Sequence, residues 1–200
     1  FNDHMLDINA LNEKKFAVLD ESCEEKMKAK ILEAESDGDS VGGILETVIM
    51  GIPEGVGEPW FDSVESLISH MMFSIPSIKG IEFGAGFGIA NMQGSSANDP
   101  FRIENGKILT ETNNNGGING GITNGMPIIF RTVIKPTPTI FKPQNTVDFG
   151  NMTQTTIEPN GRHDPAIVHR ARVVQDATTA LVLCDILSMR FGTDWLKGNE

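Results

Sequence analysis

The sequence predicts an α+β fold, because helical and strand-like patterns occupy separate stretches of its 200 residues. Three observations support this class: a long apolar helical pattern near the C-terminus, shorter amphipathic helical patterns earlier, and β-branched runs bounded by glycine and proline. Hydrophobic residues make up 39% of the chain and charged residues 22%, which is ordinary for a globular protein. We therefore expect one core, or part of a core shared with another segment.

Two helices are expected in the first half of the chain. Residues 23–35 carry a narrow apolar stripe, and Ser22 with Glu25 resembles a capping box that would start this helix. Pro59 is expected to open the second helix. Its predicted buried side contains Trp60, Phe61, Val64, Leu67, Ile68, Met71 and Met72.

The longest helical pattern begins at Asp164 and Pro165 and ends at Phe191, before Gly192. Asp164 is a suitable N-cap and Pro165 a suitable first helical residue. One expected face contains Val173, Ala177, Ala180, Cys184, Leu187 and Phe191. That face is widened by Val174, Leu181, Val182 and Ile186, so burial on several sides is predicted.

Strands are expected at 41–52, 81–83 and 128–134, where β-branched and apolar residues are dense. The run 41–52 is apolar at both alternations, which predicts a strand covered on two faces. The glycines that follow 81–83 lack the G-x-G-x-x-G spacing, so a dinucleotide-binding loop is not favoured.

Residues 93–117 are polar and rich in turn-forming residues, with Asn105-Gly106 expected to close a small hairpin between 101–103 and 108–110. So long a polar excursion inside a domain is typical of a lid or binding loop. A plain surface loop is the alternative, and the sequence does not choose between the two.

The charge balance argues against nucleic-acid or anionic-membrane binding, because the net charge is −11 and both partners favour basic surfaces. Cys23 and Cys184 are too few for a disulfide framework, which favours a reducing cytoplasmic compartment. Cys184 is expected in the core. No metal-ligand spacing, membrane-spanning run or signal peptide is visible.

Three short segments carry residues suited to ligand chemistry. Arg162 and Asp164 at a helix start could form an anion site with a proton-handling carboxylate, or only a capped helix. The glycine pairs of 116–121 would let backbone approach a flat ligand, although such runs are most often turns. Residues 135–139 place a lysine before a stiff, hydroxyl-bearing turn.

These segments together resemble the second half of chorismate synthase, in order and spacing, from about residue 36 to 191. The matching motifs are Asp39-Ser40-Val41-Gly42-Gly43, Ile52-Pro53-Glu54-Gly55-Val56-Gly57-Glu58-Pro59, Ser74 to Gly80, Gly116 to Gly121, Lys135 to Thr139, and Arg162 to Pro165. The resemblance implies that residues 1–200 are the C-terminal part of a single domain, with 93–117 as a lid-like loop within it.

The family's fold is a layered sandwich of β-sheets and central helices, usually assembled as tetramers. Its members convert 5-enolpyruvylshikimate 3-phosphate to chorismate and phosphate by a 1,4-elimination that needs reduced FMN. This reaction belongs to the shikimate pathway of aromatic amino-acid biosynthesis. The resemblance therefore implies a cytoplasmic phosphate lyase that binds FMN and this substrate and forms a homo-oligomer.

The resemblance also assigns site residues position by position. Asp164 matches the acidic residue near flavin N5, where it would manage a proton. The residues matching cofactor-binding positions are Pro76, Ser77, Gly120, Lys135, Pro136, Thr137, Pro138, Thr139 and Arg162. Ser77 departs from the alanine that many relatives carry.

Part of the family's machinery has no counterpart in this sequence. The Gly-Glu-Ser-His-Gly motif, a second catalytic histidine and the Arg-Ser-Ser-Ala-Arg-Glu-Thr motif belong to the family's first half. We therefore expect these 200 residues to be inactive alone. The alternative hypothesis is a non-catalytic flavin- or nucleotide-binding or assembly module.

Overall fold

The computed structural model describes residues 4–161 and 163–193. The helices are α1 (His4–Glu13), α2 (Glu21–Ser36), α3 (Val64–Phe73), a 3₁₀ turn (Gly86–Asn91), α4 (Gly94–Ala97) and α5 (Val168–Phe191). The strands are β1 (Gly43–Ile49), β2 (Ile78–Phe83), β3 (Phe101–Glu104), β4 (Lys107–Thr110), β5 (Ile118–Asn119), β6 (Ile122–Thr123), β7 (Ile128–Ile134), β8 (Gln144–Asp148) and β9 (Thr153–Ile157). The α+β class is confirmed.

The chain folds as two units. The first unit is formed by Phe1–Gly43 with Ile134–Ala171, and the second by Ile44–Val133 with Arg172–Glu200. Each unit therefore combines segments that are distant in sequence.

A three-stranded sheet with the order β1-β7-β2 forms the centre of the second unit. One face of β7 is buried at alternate positions, including Ile128, Phe130 and Thr132, while Val133 on the other face is 40% exposed. The buried residues of α3 are Val64, Ile68 and Met72, at the spacing of one helical face. The core of this unit thus lies on one side of its sheet.

Helix α5 buries a different face from the one that the sequence predicted. Its buried residues are Gln175, Thr179, Val182 and Ile186. Of the predicted apolar positions, Val182 and Ile186 are buried, whereas Val173, Val174, Ala177, Ala180, Leu181 and Cys184 are exposed. Burial on several sides was therefore wrong for this chain, as was a core position for Cys184. The physical reason is that a hydrogen-bonded glutamine, rather than a valine, meets the sheet.

The strand predictions differ in how well they hold. The predicted strand 128–134 is confirmed in full as β7. Strand β1 is shorter than the predicted 41–52, and it alternates between half-buried and exposed residues, with Ile44 at 66% exposure. Coverage on two faces was wrong, because the residues at the alternate positions of β1 face open surface.

Two helix starts also differ from prediction. The N-cap of α2 is Asp20, whose carboxylate accepts hydrogen bonds from the amides of Ser22 and Cys23, so Ser22 is not the cap. Helix α3 begins after Ser63, whose hydroxyl accepts from the Ser66 amide. Trp60 and Phe61, predicted on the buried side, are 82% and 87% exposed because they precede the helix.

The hairpin around Asn105-Gly106 is confirmed. Strands β3 and β4 pair antiparallel with Glu104 opposite Lys107. Asn105 and Gly106 have φ of 52° and 75°, the positive values that a type I′ turn requires. A second hairpin, formed by β8 and β9 in the first unit, pairs Gln144 with Ile157.

Candidate functional site

The segment Lys135–Thr139 leaves β7 in the first unit with its backbone held in place. Pro136 and Pro138 restrict the chain on both sides of Thr137, and the Ser40 hydroxyl donates a 2.6 Å hydrogen bond to the Thr137 carbonyl. The Thr137 hydroxyl is buried and has no hydrogen-bond partner in the described part of the chain. An unpaired buried hydroxyl is costly, so this group is suited to a ligand.

Lys135 is half-buried at the start of the same segment. No carboxylate within the described ranges pairs with its ammonium group. A lysine ammonium group without a protein counter-ion is suited to an anionic ligand such as a phosphate. The segment therefore offers one cation and one free hydroxyl.

Asp164 also belongs to the first unit and lies four residues before the start of α5. It is largely buried, with its side chain 25% exposed. One carboxylate oxygen, Oδ1, accepts a 3.2 Å hydrogen bond from the Ala166 amide, and Oδ2 forms an ion pair with Arg170. Arg170 lies in the first turn of α5 and was not predicted from sequence as a partner of Asp164. The two contacts fix the plane of the carboxylate and leave it lone pairs for a further donor.

Asp164 and Pro165 do not start the helix as the sequence predicted. Helix α5 begins three residues later, at Val168. The Pro165 carbonyl accepts a 2.8 Å hydrogen bond from the Val41 amide. Because that carbonyl is bonded outside the helix, the chain stays non-helical at Pro165. The carboxylate of Asp164 closes a local turn instead of capping α5.

His163 adds a further unsatisfied group beside Asp164. Its ring meets the edge of Phe141, with 4.6 Å between ring centroids and an interplanar angle of 72°. Its Nε2 atom is buried without a hydrogen-bond partner in the ranges described. Arg162, which the resemblance assigned to the cofactor, lies outside the described residues.

Residues 39–42, here called the connector, join α2 to β1. In the first unit they contact the Lys135–Thr139 segment through Ser40 and the residue after Asp164 through Val41. Asp39 accepts a 2.8 Å hydrogen bond from Lys142 and one from the Ser40 amide, and these lower the pKa of its carboxyl. Lys142 also pairs with Asp37. The connector is part of the motif Asp39-Ser40-Val41-Gly42-Gly43 shared with the family, but the sequence predicted no role for it.

In the second unit, Pro76 and Ser77 form the turn between α3 and β2. The Ile78 amide donates to the Ile75 carbonyl at 3.4 Å, which makes Pro76 and Ser77 the central residues of the turn. Ser77 has φ of 80°, in the region that favours glycine. Backbone strain of this kind is often retained where a ligand contacts the chain.

Gly120 is the one glycine of the two predicted pairs that faces open space. It forms the β5–β6 turn with Gly121, and no atom lies within 4 Å of where a Cβ would be. A Cβ on Gly116, Gly117 or Gly121 would instead lie within 2.6 Å of backbone atoms. Three of these four glycines therefore serve packing within the chain, and only Gly120 is open to a ligand.

The second unit places its two predicted cofactor elements far apart. The Gly121 carbonyl accepts from the amide of Val64, the first residue of α3, at 3.0 Å. Ser77 lies four residues beyond Phe73, the last residue of the same helix. A helix of this length spans about 15 Å, so Ser77 and Gly120 lie at opposite ends of it.

Asp99 organises the polar segment next to these glycines. It is 6% exposed, and its carboxylate accepts from the Thr112 hydroxyl, from the Asn114 and Asn115 amides, and from the Asn115 side chain, at 2.7–2.9 Å. Burial alone would raise the pKa of Asp99, but these hydrogen bonds outweigh it and keep the pKa below its usual value. Asp99 was not among the residues predicted from sequence.

The groups of the first unit fit the flavin mononucleotide that the resemblance implies. A phosphate would suit Lys135, and hydrogen-bonding groups would suit the Thr137 hydroxyl and His163 Nε2. Across the described ranges, no cluster of three or more histidine, cysteine or acidic residues is arranged to hold a metal ion. Nor does any helix in those ranges have the length and apolar character to cross a bilayer.

Comparison with known proteins agrees with the resemblance. The family model described as chorismate synthase matches residues 2–188. A chorismate synthase of Thermococcus kodakarensis is 47% identical over 171 residues, which are 86% of this chain and 48% of that protein. One from Methanosarcina acetivorans is 50% identical over 161 residues, 80% of this chain and 44% of that protein.

A solved structure described as a crystal structure of chorismate synthase has a similar fold. The TM-score is 0.68 at 34% sequence identity, and the match covers 84% of this chain and 44% of that one. The chain thus spans about half the length of the curated relatives that it matches.

Proposed function

Because the chain belongs to the chorismate synthase family, we propose that it is the part of a phosphate lyase that holds reduced FMN. The reaction would be the 1,4-elimination of phosphate from 5-enolpyruvylshikimate 3-phosphate to give chorismate. The single observation that carries the proposal is the family match over residues 2–188, a range that includes every predicted site residue.

The cofactor-binding residues would be those that the resemblance assigns: Pro76, Ser77, Gly120, Lys135, Pro136, Thr137, Pro138, Thr139 and Arg162. Lys135 would neutralise an anionic group of the cofactor, and Thr137 would donate or accept through its unpaired hydroxyl. Gly120 would let the cofactor lie against backbone, since nothing occupies its Cβ position.

Reduced FMN, when bound, would supply electron density to the eliminating substrate. Asp164 would accept and return a proton through its carboxylate. Arg170 and the Ala166 amide would keep the plane of that carboxylate fixed. A fixed carboxylate can accept an N–H hydrogen bond without the entropy cost of ordering its side chain in each cycle.

The wider assignment follows the same proposal. We expect a cytoplasmic homotetramer in aromatic amino-acid biosynthesis. We also expect these 200 residues to be inactive alone, because neither histidine motif of the family's first half is encoded in them. The family relationship does not favour the alternative of a non-catalytic flavin- or nucleotide-binding module.

The test is phosphate release from the substrate with reduced FMN, assayed on the full-length protein that carries this chain. Asp164→Asn is expected to keep FMN binding, followed by flavin fluorescence, and to lower turnover by roughly 100-fold or more. An inactive full-length protein would overturn the proposed activity. Unchanged turnover in D164N would overturn only the role of Asp164.

The 200-residue chain should be assayed in parallel. Phosphate release by this chain alone, at a rate near that of the full-length protein, would contradict the expectation that it is inactive by itself.

A further inference from the structure

The connector of residues 39–42 contacts the two segments that the proposed function uses in the first unit. The Ser40 hydroxyl donates to the Thr137 carbonyl at 2.6 Å, and the Val41 amide donates to the Pro165 carbonyl at 2.8 Å. Two adjacent residues thus hold one segment each. The sequence separations, 97 residues for Ser40 and Thr137, show that these are tertiary contacts.

The remaining connector residues anchor it in place. Asp39 accepts from Lys142 at 2.8 Å. Gly42 packs so closely that a Cβ would lie 2.3 Å from the Ile134 carbonyl oxygen and 3.1 Å from Pro136. An ion pair therefore holds the connector at Asp39, and close packing against Ile134 and Pro136 holds it at Gly42.

These contacts determine the backbone next to each functional group. With its carbonyl bonded to Ser40 and a proline on either side, Thr137 has little backbone freedom. The bond from Val41 keeps Pro165 out of α5, and Asp164 is the residue immediately before Pro165. Ser40 and Val41 thus each hold the backbone at or next to one of these two residues.

We infer that Ser40 is a positioning residue for the elimination: its hydroxyl, beside the Val41 amide, keeps the Lys135–Thr139 segment in register with Asp164 for one bound cofactor. The inference rests on the proposed function. Ser40 touches neither cofactor nor substrate in this scheme, and it acts through the backbone of Thr137.

The test uses Ser40→Ala in the full-length protein, with Ser36→Ala as a matched control. The Ser36 hydroxyl also donates to a backbone carbonyl, that of Glu33 at 2.8 Å, but this bond lies within the last turn of α2 and does not involve the Lys135–Thr139 segment. At saturating FMN and substrate, S40A is expected to lower kcat by roughly ten-fold or more, because small misplacements of catalytic groups are costly. S36A should leave kcat unchanged.

Two further measurements separate positioning from general stability. The urea midpoints of S40A and S36A should be similar, and Ser40→Thr, which keeps the donor, should recover most of kcat. If S40A does not fold, Ser40→Cys, with similar volume and a weaker donor, is measured against the same controls.

The outcomes are distinct. An active parent in which S40A, or S40C in its place, behaves like S36A overturns the inference and leaves the proposed function intact. Failure of Ser40→Thr to recover kcat also overturns it. A parent without phosphate release overturns the proposed function, and the inference falls with it.

Discussion

Gln175 is buried in the middle of α5, with 1% of its surface exposed. Its side-chain oxygen accepts from the Thr132 hydroxyl at 2.6 Å, and its side-chain nitrogen donates to the Thr47 hydroxyl at 2.8 Å. Thr132 lies on β7 and Thr47 on β1. One amide therefore attaches α5 to two neighbouring strands, which explains why a polar residue occupies the helix face against the sheet.

Gln175→Leu is expected to destabilise the chain by about 2 kcal/mol, because it keeps the side-chain volume but leaves two threonine hydroxyls without their partner. Urea unfolding followed by circular dichroism measures the change. Val174→Leu on the exposed side of α5 is the control, expected within about 0.5 kcal/mol of the parent. Equal midpoints for the two variants would show that the amide contributes no net stability.

Ser77 has the positive φ that a β-branched residue adopts only at a high cost. Ser77→Val is therefore expected to lower the free energy of unfolding by about 1–2 kcal/mol, whereas Ser77→Gly should not lower it. Thermal unfolding of both variants checks this difference. A valine variant as stable as the glycine variant would mean that the turn relaxes to negative φ in solution.

At the scale of elements, Asp99 fixes the predicted lid segment to the glycine-rich run that follows it. Its carboxylate accepts from Asn114 and Asn115, directly before Gly116. The backbone of Asn114 in turn accepts from the Ala85 amide, which follows β2. Residues 93–117 are thus tied down at their C-terminal end, while β3 within them is exposed along its whole length. Closure of this segment over a ligand remains a prediction.

The stability that Asp99 contributes should depend on pH. Because the folded-state pKa of Asp99 is lowered, this stability is present above the unfolded value near 3.8 and is lost as pH falls through the lower folded value. The difference in Tm between the parent and Asp99→Asn should be constant from pH 7 to about 5 and should shrink at lower pH. A difference independent of pH down to about 2 would contradict the charged carboxylate as its source.

Some elements followed from local sequence and others did not. The turn at Asn105-Gly106 was predictable because those two residue types adopt positive φ readily. The start of α5 was not, because Pro165 would suit a first helical turn and is kept out of it by Val41, over a hundred residues away. Local propensity describes what a segment allows, and a distant hydrogen bond selects among the allowed states.

At the scale of the molecule, the described residues leave a large apolar surface uncovered. On α5, Val173, Val174 and Leu181 are 62%, 50% and 64% exposed, and they lie along one side of the helix with Ala177 and Cys184. Contiguous apolar surface of this kind is unusual on a monomer and favours association.

We therefore expect the 200-residue chain to self-associate, with an average mass by light scattering above the 21.7 kDa of one chain. Leu181→Glu should lower that mass because it places a charge in the apolar stripe, while circular dichroism stays unchanged. Lys30→Gln, which also lowers the net charge by one but on the exposed surface of α2, controls for net charge. A monomer that persists at high concentration would show that this surface is tolerated in water.

The sequence by itself determined the family, the α+β class, strand β7 and the hairpin turn, because these depend on local patterns and on the order of short motifs. Only the tertiary structure decided which face of α5 is buried, where that helix begins and which glycine of the run is open. It also revealed Ser40 and Arg170 as partners of predicted site residues, and Asp99 as the residue that holds Asn114 and Asn115 before the glycine-rich run. Each of these depends on hydrogen bonds or packing between residues brought together by folding, and no single-segment pattern records such contacts.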